Sequence, residues 1–293
     1  MTTDAATEMD LPDLFDDPRD LHPNRWWLEI LFIAAFYLIY SAIRNQFGSA
    51  AVSPETALDN AWTVIDLEES MGLFFEPGLQ ARFINNTRFI QFWNLFYGTF
   101  HFVVTGGALF WAYKRFNHRY RIWRNTLAFA TALALAGFSL FPLMPPRLIE
   151  DCGTFGGCVQ TEYDFVDTAV EIGGLWSFDS GTMQSISNQY AAMPSLHLGW
   201  AIWCTGVLYL YLRRWWARAL MALYPVATLF AVVVTANHYW IDALGGALIV
   251  IVGYGLGRLA AERVAQWRLR NRPRVVFAQD SHAPPTPTPP HSA

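Results

Sequence analysis

Long blocks of apolar residues run through most of the chain, and their length predicts helices that cross a membrane. A helix needs about 20 mostly apolar residues to span the hydrocarbon core of a bilayer. Six blocks approach that length, and we expect each of them to form one transmembrane helix. They are Trp26–Ile43, Phe89–Tyr113, Thr126–Leu143, Ala191–Leu212, Ala219–Ala236 and Trp240–Leu259. The pattern therefore predicts an all-α, polytopic membrane protein with about six spans.

Lysine and arginine are distributed unevenly over the two sides that six spans create. The side that holds both termini carries 16 of these residues, and the other side carries four. These four are Arg44, Arg82, Arg88 and Arg147. Basic residues collect on the cytoplasmic side of membrane proteins. We therefore expect an integral protein of the plasma (inner) membrane, with both termini in the cytoplasm and the segments 44–88 and 144–190 outside.

The composition excludes several classes of protein. Charged residues make up 15% of the chain and hydrophobic residues 53%, whereas an ordinary soluble domain carries about 25% charged residues. The net charge of −4 provides no basic surface for nucleic acid, so no nucleic-acid partner is expected. Three cysteines are too few for a disulfide scaffold or a multi-cysteine metal site.

The segments at the two ends differ from the membrane blocks. Residues 1–25 are acidic, and we expect a cytoplasmic segment there, because a cleaved signal peptide begins with a cationic region. Gly48-Ser49-Ala50 could nevertheless imitate a cleavage site. Residues 26–260 form the predicted membrane domain. Residues 261–293 are first basic and then rich in proline, and we expect a disordered cytoplasmic tail from this composition.

Two outer segments carry patterns of their own. In segment 44–88, apolar residues at helical spacing among acids predict an amphipathic helix at the membrane interface. They are Ala57, Ala61, Val64, Ile65 and Leu67. In segment 144–190, Cys152 and Cys158 lie six positions apart on the predicted oxidising side, which favours a disulfide between them. Cys204 lies within a span and is interpreted as buried packing.

Three ionisable side chains fall at one level of the predicted membrane domain. The fourth span enters from outside, so His197 lies near its outer end, and the fifth span returns to place His238 and Asp242 at the same boundary. His238 and Asp242 are four residues apart and would share one face of a helix. A carboxylate that holds one imidazole nitrogen leaves the other free to attack. A second histidine could then supply the proton that a leaving alkoxide needs.

Other interpretations of these residues stay open. The two histidines could simply form hydrogen bonds at a polar interface, or could bind zinc or iron together with Asp242. His101, deep in the second span, either lines a polar cavity or is a core histidine. Gly253 and Gly257 favour close helix packing. The pattern also allows a non-catalytic lipid-binding or transport protein, and it does not set the oligomeric state.

Two short motifs resemble signatures of the type 2 phosphatidic acid phosphatase superfamily. Residues 192–197, Ala-Met-Pro-Ser-Leu-His, are similar to its second signature, usually Pro-Ser-Gly-His. Residues 237–242, Asn-His-Tyr-Trp-Ile-Asp, are similar to the His-x-x-x-Asp end of its third signature. The variants Pro-Ser-Leu-His and His-Tyr-x-x-Asp-x-x-x-Gly, closed by Gly246, resemble the branch with fungal inositol phosphorylceramide synthase and bacterial inositolphosphotransferase-like proteins. The resemblance spans roughly residues 90 to 260.

The resemblance implies a role for each matched residue. His238 would attack the phosphorus and form a phosphohistidine, Asp242 would orient and charge-stabilise it, and His197 would protonate the departing alcohol and then activate the acceptor. Ser195 would donate a hydrogen bond to a phosphate oxygen. The resemblance also implies a phosphatase or inositolphosphotransferase without a metal cofactor. Its substrate would be a phospholipid or another lipid phosphate, and its acceptor an alcohol or water.

The sequence departs from the family pattern at its cationic positions. The first signature, Lys-x6-Arg-Pro, is absent, and the nearest counterpart is Pro145-Pro146-Arg147. The Ser-Arg pair expected before the third-signature histidine is also missing, since positions 231 and 232 are Ala and Val. A phosphate with fewer cationic contacts would lose transition-state stabilisation. Arg147 is therefore the predicted phosphate anchor, with a snorkelling interfacial arginine as the alternative; Arg82 and Arg88 are weaker candidates outside the predicted site.

Overall fold

The structure, a computed structural model, describes residues 25–47, 52–115, 117–173 and 188–271. All longer regular elements of these residues are helices, which confirms the all-α prediction. They are α1 (Trp26–Phe47), α2 (Pro54–Ser70), α3 (Glu76–Phe83), α4 (Thr87–Arg115), α5 (Asn117–Leu140), α6 (Thr168–Glu171), α7 (Leu196–Tyr209), α8 (Trp215–Val234) and α9 (Trp240–Arg270). A short 3₁₀ turn covers Pro146–Leu148.

Four of these helices are long and apolar enough to cross a membrane, and they indicate an integral membrane protein. The four segments are Trp26–Ile43, Thr87–Arg115, Trp215–Val234 and Trp240–Trp267. The predicted count of about six is not confirmed. Helix α7 has 14 residues, which is about 21 Å at 1.5 Å per residue against about 30 Å of hydrocarbon. Helix α5 begins with several arginines, so its apolar part is shorter than the helix.

The short helix α7 nevertheless lies at the centre of the bundle, where it packs against α4, α5, α8 and α9. Trp203 and Val207 of α7 are fully buried, and the Trp203 indole donates a hydrogen bond to the carbonyl oxygen of Trp123 at 2.9 Å. Cys204 is a free, buried cysteine, which agrees with its interpretation as core packing. A helix surrounded by other helices does not need the length of a span that faces lipid on its own.

Helices α5 and α9 pack antiparallel along much of their length. A Cβ atom at Gly253 would lie 2.9 Å from the Ala130 nitrogen, and one at Gly257 would lie 2.7 Å from the Thr126 nitrogen. Small residues allow two helix backbones to approach this closely. The two glycines therefore serve helix packing within the chain, as their spacing predicted. Helix α9 continues to Arg270, so the first part of the basic segment 261–293 is helical.

Helix α1 lies at the periphery, with most of its apolar side chains exposed. It packs against α5, where both carboxylate oxygens of Glu29 accept hydrogen bonds from Arg124 Nη1, at 2.8 and 2.7 Å. The Tyr120 hydroxyl donates a further bond to Glu29 at 3.2 Å. The ionisable Glu29 of the first span is therefore paired, and its contacts join α1 to the bundle.

The outer segments form a layer over one end of the bundle, and α2 is its main helix. Ser53 caps α2 by accepting a hydrogen bond from the Thr56 nitrogen at 3.3 Å. The predicted helix is thus present, but its apolar face is buried in the protein and is not free for the bilayer. Ala57, Ala61, Val64 and Ile65 pack in a cluster with residues of the segments 143–149, 190–193 and 236–241. Leu67, in contrast, is 47% exposed.

The loop after α5 is tied down within this outer layer. Cys152 and Cys158 form a disulfide. The Asn60 side chain donates to the Pro142 carbonyl oxygen at 2.8 Å, and the Met144 nitrogen donates to the Ala57 carbonyl oxygen at 3.1 Å. These contacts fix the loop against α2. The acidic N-terminal segment, Gly48-Ser49-Ala50, residues 174–187 and the proline-rich tail lie outside the described residues.

Candidate active site

His238 and Asp242 lie where α8 turns into α9. Helix α8 ends at Val234, and Ala236 adopts a left-handed conformation with φ 54°. The nitrogens of Asn237 and His238 then both donate to the Val232 carbonyl oxygen, at 2.9 and 3.2 Å. This tight turn places His238 two residues before α9, with 3% of its surface exposed.

A hydrogen bond joins the two side chains. His238 Nδ1 lies 3.2 Å from Asp242 Oδ2, and the Tyr239 nitrogen donates to the same oxygen at 3.0 Å. Asp242 is fully buried in the first turn of α9. Because the aspartate accepts from Nδ1, the imidazole carries its proton on that nitrogen and leaves the lone pair of Nε2 available. The four-residue spacing thus brings together the two groups that the sequence paired.

His197 lies beside this pair, at the second residue of α7. Its ring centroid is 5.6 Å from that of His238. The Tyr97 ring of α4 stacks on His197 at 4.2 Å, and the His101 ring meets it edge-on at 4.3 Å. His101 Nδ1 bonds to the Tyr97 carbonyl oxygen at 2.8 Å. His101, which the sequence left undecided, therefore packs directly on a candidate site residue.

The backbone of the Pro-Ser-Leu-His segment is held against the start of α9. The Ser195 nitrogen donates to the Asp242 carbonyl oxygen at 2.9 Å. The Ser195 hydroxyl is buried and accepts a bond from the Leu198 nitrogen at 3.5 Å, which caps α7. Its hydrogen is left for a second contact. A Cβ atom at Gly246 would lie only 2.4 Å from the Ser195 carbonyl oxygen, so this glycine allows the two motifs to approach.

A Gly246→Ala substitution is expected to destabilise the protein by about 1–3 kcal/mol, because the new methyl group meets backbone that cannot move aside cheaply. The thermal midpoint of the purified protein in detergent measures the effect. Gly255→Ala on the same helix is the matched control, since nothing lies within 4 Å of a Cβ there. Alanine is favoured over glycine in a helix by about 1 kcal/mol, so the control should keep or raise the midpoint. Equal midpoints for the two variants would contradict the close approach.

Arg147 lies on the 3₁₀ turn and is fixed against the two residues that precede His238. Its nitrogen donates to the Ala236 carbonyl oxygen at 2.9 Å, and its Nε donates to Asn237 Oδ1 at 3.0 Å. Nη2 donates to Gln189 Oε1 at 2.7 Å, and Nη1 forms an ion pair with Asp167. The guanidinium is therefore oriented by side chains and is not a snorkelling group. Its charge is partly balanced by Asp167.

The remaining candidates fall outside this cluster. Arg82 and Arg88 are exposed on α3 and at the start of α4. In the described part of the chain, no three side chains of His, Cys, Asp and Glu are arranged to hold a metal ion. The set of His197, His238 and Asp242 is not among such groups. Two partners of Arg147, Asp167 and Gln189, carried no sequence signal, because they lie 20 and 42 positions away from it and in neither motif.

Comparison with known families agrees with the two motifs. The family model of the PAP2 superfamily matches residues 62–256. The matched range is more than half of the chain and includes Arg147 and both motif segments, so the chain belongs to the PAP2 superfamily. No curated protein and no solved structure matches the sequence. Members of this superfamily are generally phosphatase-type enzymes, which indicates an enzyme for lipid phosphates. The match does not separate the branches of the superfamily.

Proposed function

We propose that the protein is a membrane-embedded lipid phosphatase or phosphotransferase that works through a phosphohistidine on His238. The observation that carries the proposal is the buried His238–Asp242 pair with the ring of His197 beside it. A buried carboxylate that binds one imidazole nitrogen both sets the tautomer and stabilises the positive charge that develops on attack. A histidine pair that served only as polar packing would not need the buried aspartate.

In the first half-reaction, Nε2 of His238 attacks the phosphorus of the lipid phosphate. The bond between phosphorus and the leaving oxygen breaks, and a bond between phosphorus and Nε2 forms. His197 donates its proton to the leaving oxygen, so that an alcohol departs and not an alkoxide. Asp242 accepts the Nδ1 hydrogen of His238 throughout and carries the countercharge.

In the second half-reaction, His197 acts as the base. It takes a proton from water or from an acceptor alcohol, whose oxygen then attacks the phosphorus. The bond between phosphorus and Nε2 breaks, which restores neutral His238. Water as the acceptor gives a phosphatase, and an alcohol gives a phosphotransferase. The variant motifs Pro-Ser-Leu-His and His-Tyr-x-x-Asp-x-x-x-Gly favour transfer of a phosphoinositol-type head group.

Protein donors meet the charge of the phosphate, and the reaction needs no metal ion. Arg147 bonds to Asn237, the residue directly before His238, and the Ser195 hydroxyl has a hydrogen to donate. Asp167 holds Arg147 in place through their ion pair. In the complex, the guanidinium would contact both Asp167 and the phosphate of the substrate. Since preorganised donors stabilise a transition state without reorganisation, one well-held arginine can partly replace the missing cationic signatures.

The distribution of basic residues supports an active site on the extracytoplasmic side of the plasma membrane. His238, Asp242 and Arg147 all belong to the end of the bundle that the outer segments cover. The basic segments 114–125 and 213–218 belong to its opposite end. A substrate would therefore come from the outer leaflet.

The test uses purified protein in detergent with labelled phosphatidic acid or phosphatidylinositol, each with and without ceramide, diacylglycerol or inositol, in EDTA. Free phosphate, inositol phosphate and new phospholipid are all measured. A new phospholipid that requires the added alcohol identifies a phosphotransferase, and free phosphate or inositol phosphate alone identifies a phosphatase. Phospholipid binding without product from any donor would contradict the proposal and favour a lipid-binding or transport protein.

A further inference from the structure

Two buried glutamates of the outer layer reach the first residues of α9. Glu76 of α3 accepts a hydrogen bond from the Trp240 nitrogen at 2.9 Å, and Glu68 of α2 accepts one from the Ile241 nitrogen at 3.1 Å. Both side chains are fully buried. The first amides of a helix have no partner within the helix, and these two find theirs in carboxylates that come from other elements.

The turn that the two glutamates hold is the turn that carries the candidate site. Asp242 follows directly after Ile241, and its carbonyl oxygen accepts the bond from Ser195. The Trp240 indole donates to the Leu73 carbonyl oxygen at 2.9 Å, in the link between α2 and α3. The position of His238 and Asp242 relative to His197 therefore depends on the hydrogen bonds that hold the start of α9 against α2 and α3.

Glu68 and Glu76 have few partners that could stabilise a negative charge. Glu68 Oε2, Glu76 Oε2 and Asp242 Oδ1 are buried and have no hydrogen-bond partner among the described residues. None of the described cations forms an ion pair with either glutamate. Two ionised carboxylates this deep would each pay for desolvation and would repel each other. One of the two must therefore be neutral for the arrangement to be stable.

The ionisation of these groups fits that requirement. Burial, and then the negative charge of Glu76, raises the pKa of Glu68 to about 9. Burial also raises the pKa of Glu76, which its bond from the Trp240 nitrogen opposes. The other ionisable groups that face the pair are Asp242 and Tyr239. Each of these is acidic, so none of them can compensate a second negative charge.

We propose that Glu68 and Glu76 are positioning residues that fix the first turn of α9, and with it His238 and Asp242, as a pair that carries one proton. Glu76 is the charged member, which suits the positive end of the helix dipole, and Glu68 is the neutral one. The inference rests on the proposed function for its effect on catalysis. Loss of the proton from Glu68 places a further negative charge beside Glu76 and Asp242. The resulting repulsion weakens the contacts that hold the first turn of α9.

The kinetic test compares Glu68→Ala with Glu68→Gln, because glutamine keeps the acceptor oxygen and is neutral at every pH. Glu68→Ala is expected to lower kcat by about tenfold or more while KM changes little, since a loosened site impairs chemistry more than binding. Glu68→Gln should recover most of that loss and should keep its activity to higher pH than the wild type. Glu69→Gln, on the same helix turn but exposed, is the matched control and should keep the wild-type pH profile.

Two measurements do not depend on catalysis. A carboxyl whose pKa is raised on folding contributes its full stability below the unfolded pKa and loses it as the pH rises through the folded pKa. The thermal midpoint of the wild type should therefore fall between about pH 5 and about pH 9, and Glu68→Gln should flatten this slope while Glu69→Gln keeps it. Hydrogen exchange of a peptide that covers residues 238–246 should be faster in Glu68→Ala than in the wild type.

The outcomes separate the two proposals. A slope that is as steep in Glu68→Gln as in the wild type overturns the single proton, and unchanged exchange in Glu68→Ala overturns the positioning role. If no lipid phosphate is turned over, the proposed function fails, but both of these measurements still decide the structural claim. If Glu68→Ala does not fold, the Glu76→Gln variant is measured in place of Glu68→Ala. Removing the charge of Glu76 should lower the pKa of Glu68 and move the stability loss to lower pH.

Discussion

His238→Ala should lower kcat by about 10⁴-fold or more, because it removes the nucleophile on which both half-reactions depend. The phosphoenzyme should disappear with it. A phosphohistidine is labile in acid and stable in alkali, so a labelled donor followed by a rapid alkaline quench measures it. The wild type should retain the label on a peptide that contains His238.

The matched control is another histidine of the chain. His118 lies in the first turn of α5, which is 24 residues long and adjoins the site with its other end, about 30 Å away. His118→Ala should keep wild-type turnover and wild-type labelling. Near-normal turnover in His238→Ala would show that His238 is not the nucleophile, whatever the labelling experiment gives.

His197→Ala should lower kcat by about 10²- to 10⁴-fold on a lipid phosphate, the range that general acid–base catalysis contributes. The loss should depend on the leaving group. An alkoxide needs a proton to depart, whereas an aryl oxide with a pKa near neutrality does not. With an aryl phosphate ester, the first half-reaction should largely recover. The second still lacks its base, so the phosphoenzyme should accumulate.

Turnover and labelling of His197→Ala with both esters measure this contrast. The wild type and His118→Ala should show the same transient labelling with either ester, and less of it at steady state than His197→Ala shows with the aryl ester. An equal loss in the rate of phosphoenzyme formation with the alkyl and the aryl ester would contradict the role of His197 as the proton donor. It would instead indicate that the histidine supports the site through its packing against Tyr97 and His101.

The candidate catalytic residues could be found from sequence because ionisable side chains are rare within apolar membrane segments. A histidine or an aspartate at the end of an apolar block is costly to place there, so His197 and Asp242 stand out against their surroundings. The i, i+4 spacing is local, and it correctly paired His238 with Asp242 in space. Whether these residues carry the reaction stays a prediction until the variants are measured.

The residues that support the site could not be found in this way. Glu68 occurs in a run of acids on an amphipathic helix, where an acidic residue normally belongs to the solvated face. Asp167 and Gln189 occur in loops without periodicity. Their roles come from contacts with Ile241 and Arg147 that are distant in sequence. No local pattern records such contacts.

The helices of the fold were predictable to a different degree. The apolar blocks of α1, α4, α8 and α9 follow hydropathy because these helices are long and have exposed apolar sides. Helix α7 is shorter than the apolar block from which a full span was predicted. Its 14 residues suffice because it packs among other helices. The apolar face of α2 pointed to a membrane surface, but an apolar face gives no indication of what it will pack against. Here it packs against the loops over the site.

The bonds from Trp240 and Ile241 to Glu76 and Glu68 also constrain the order of biogenesis. The two glutamates are synthesised 164 and 173 residues before the amides that they accept from, and a chain emerges from its N-terminus. Until α9 inserts, burying these carboxyls would leave them without donors, which is costly. Helices α2 and α3 should therefore stay hydrated until α9 arrives. A nascent chain that stops short of α9 therefore leaves Glu68 and Glu76 without the donors that they have in the folded protein.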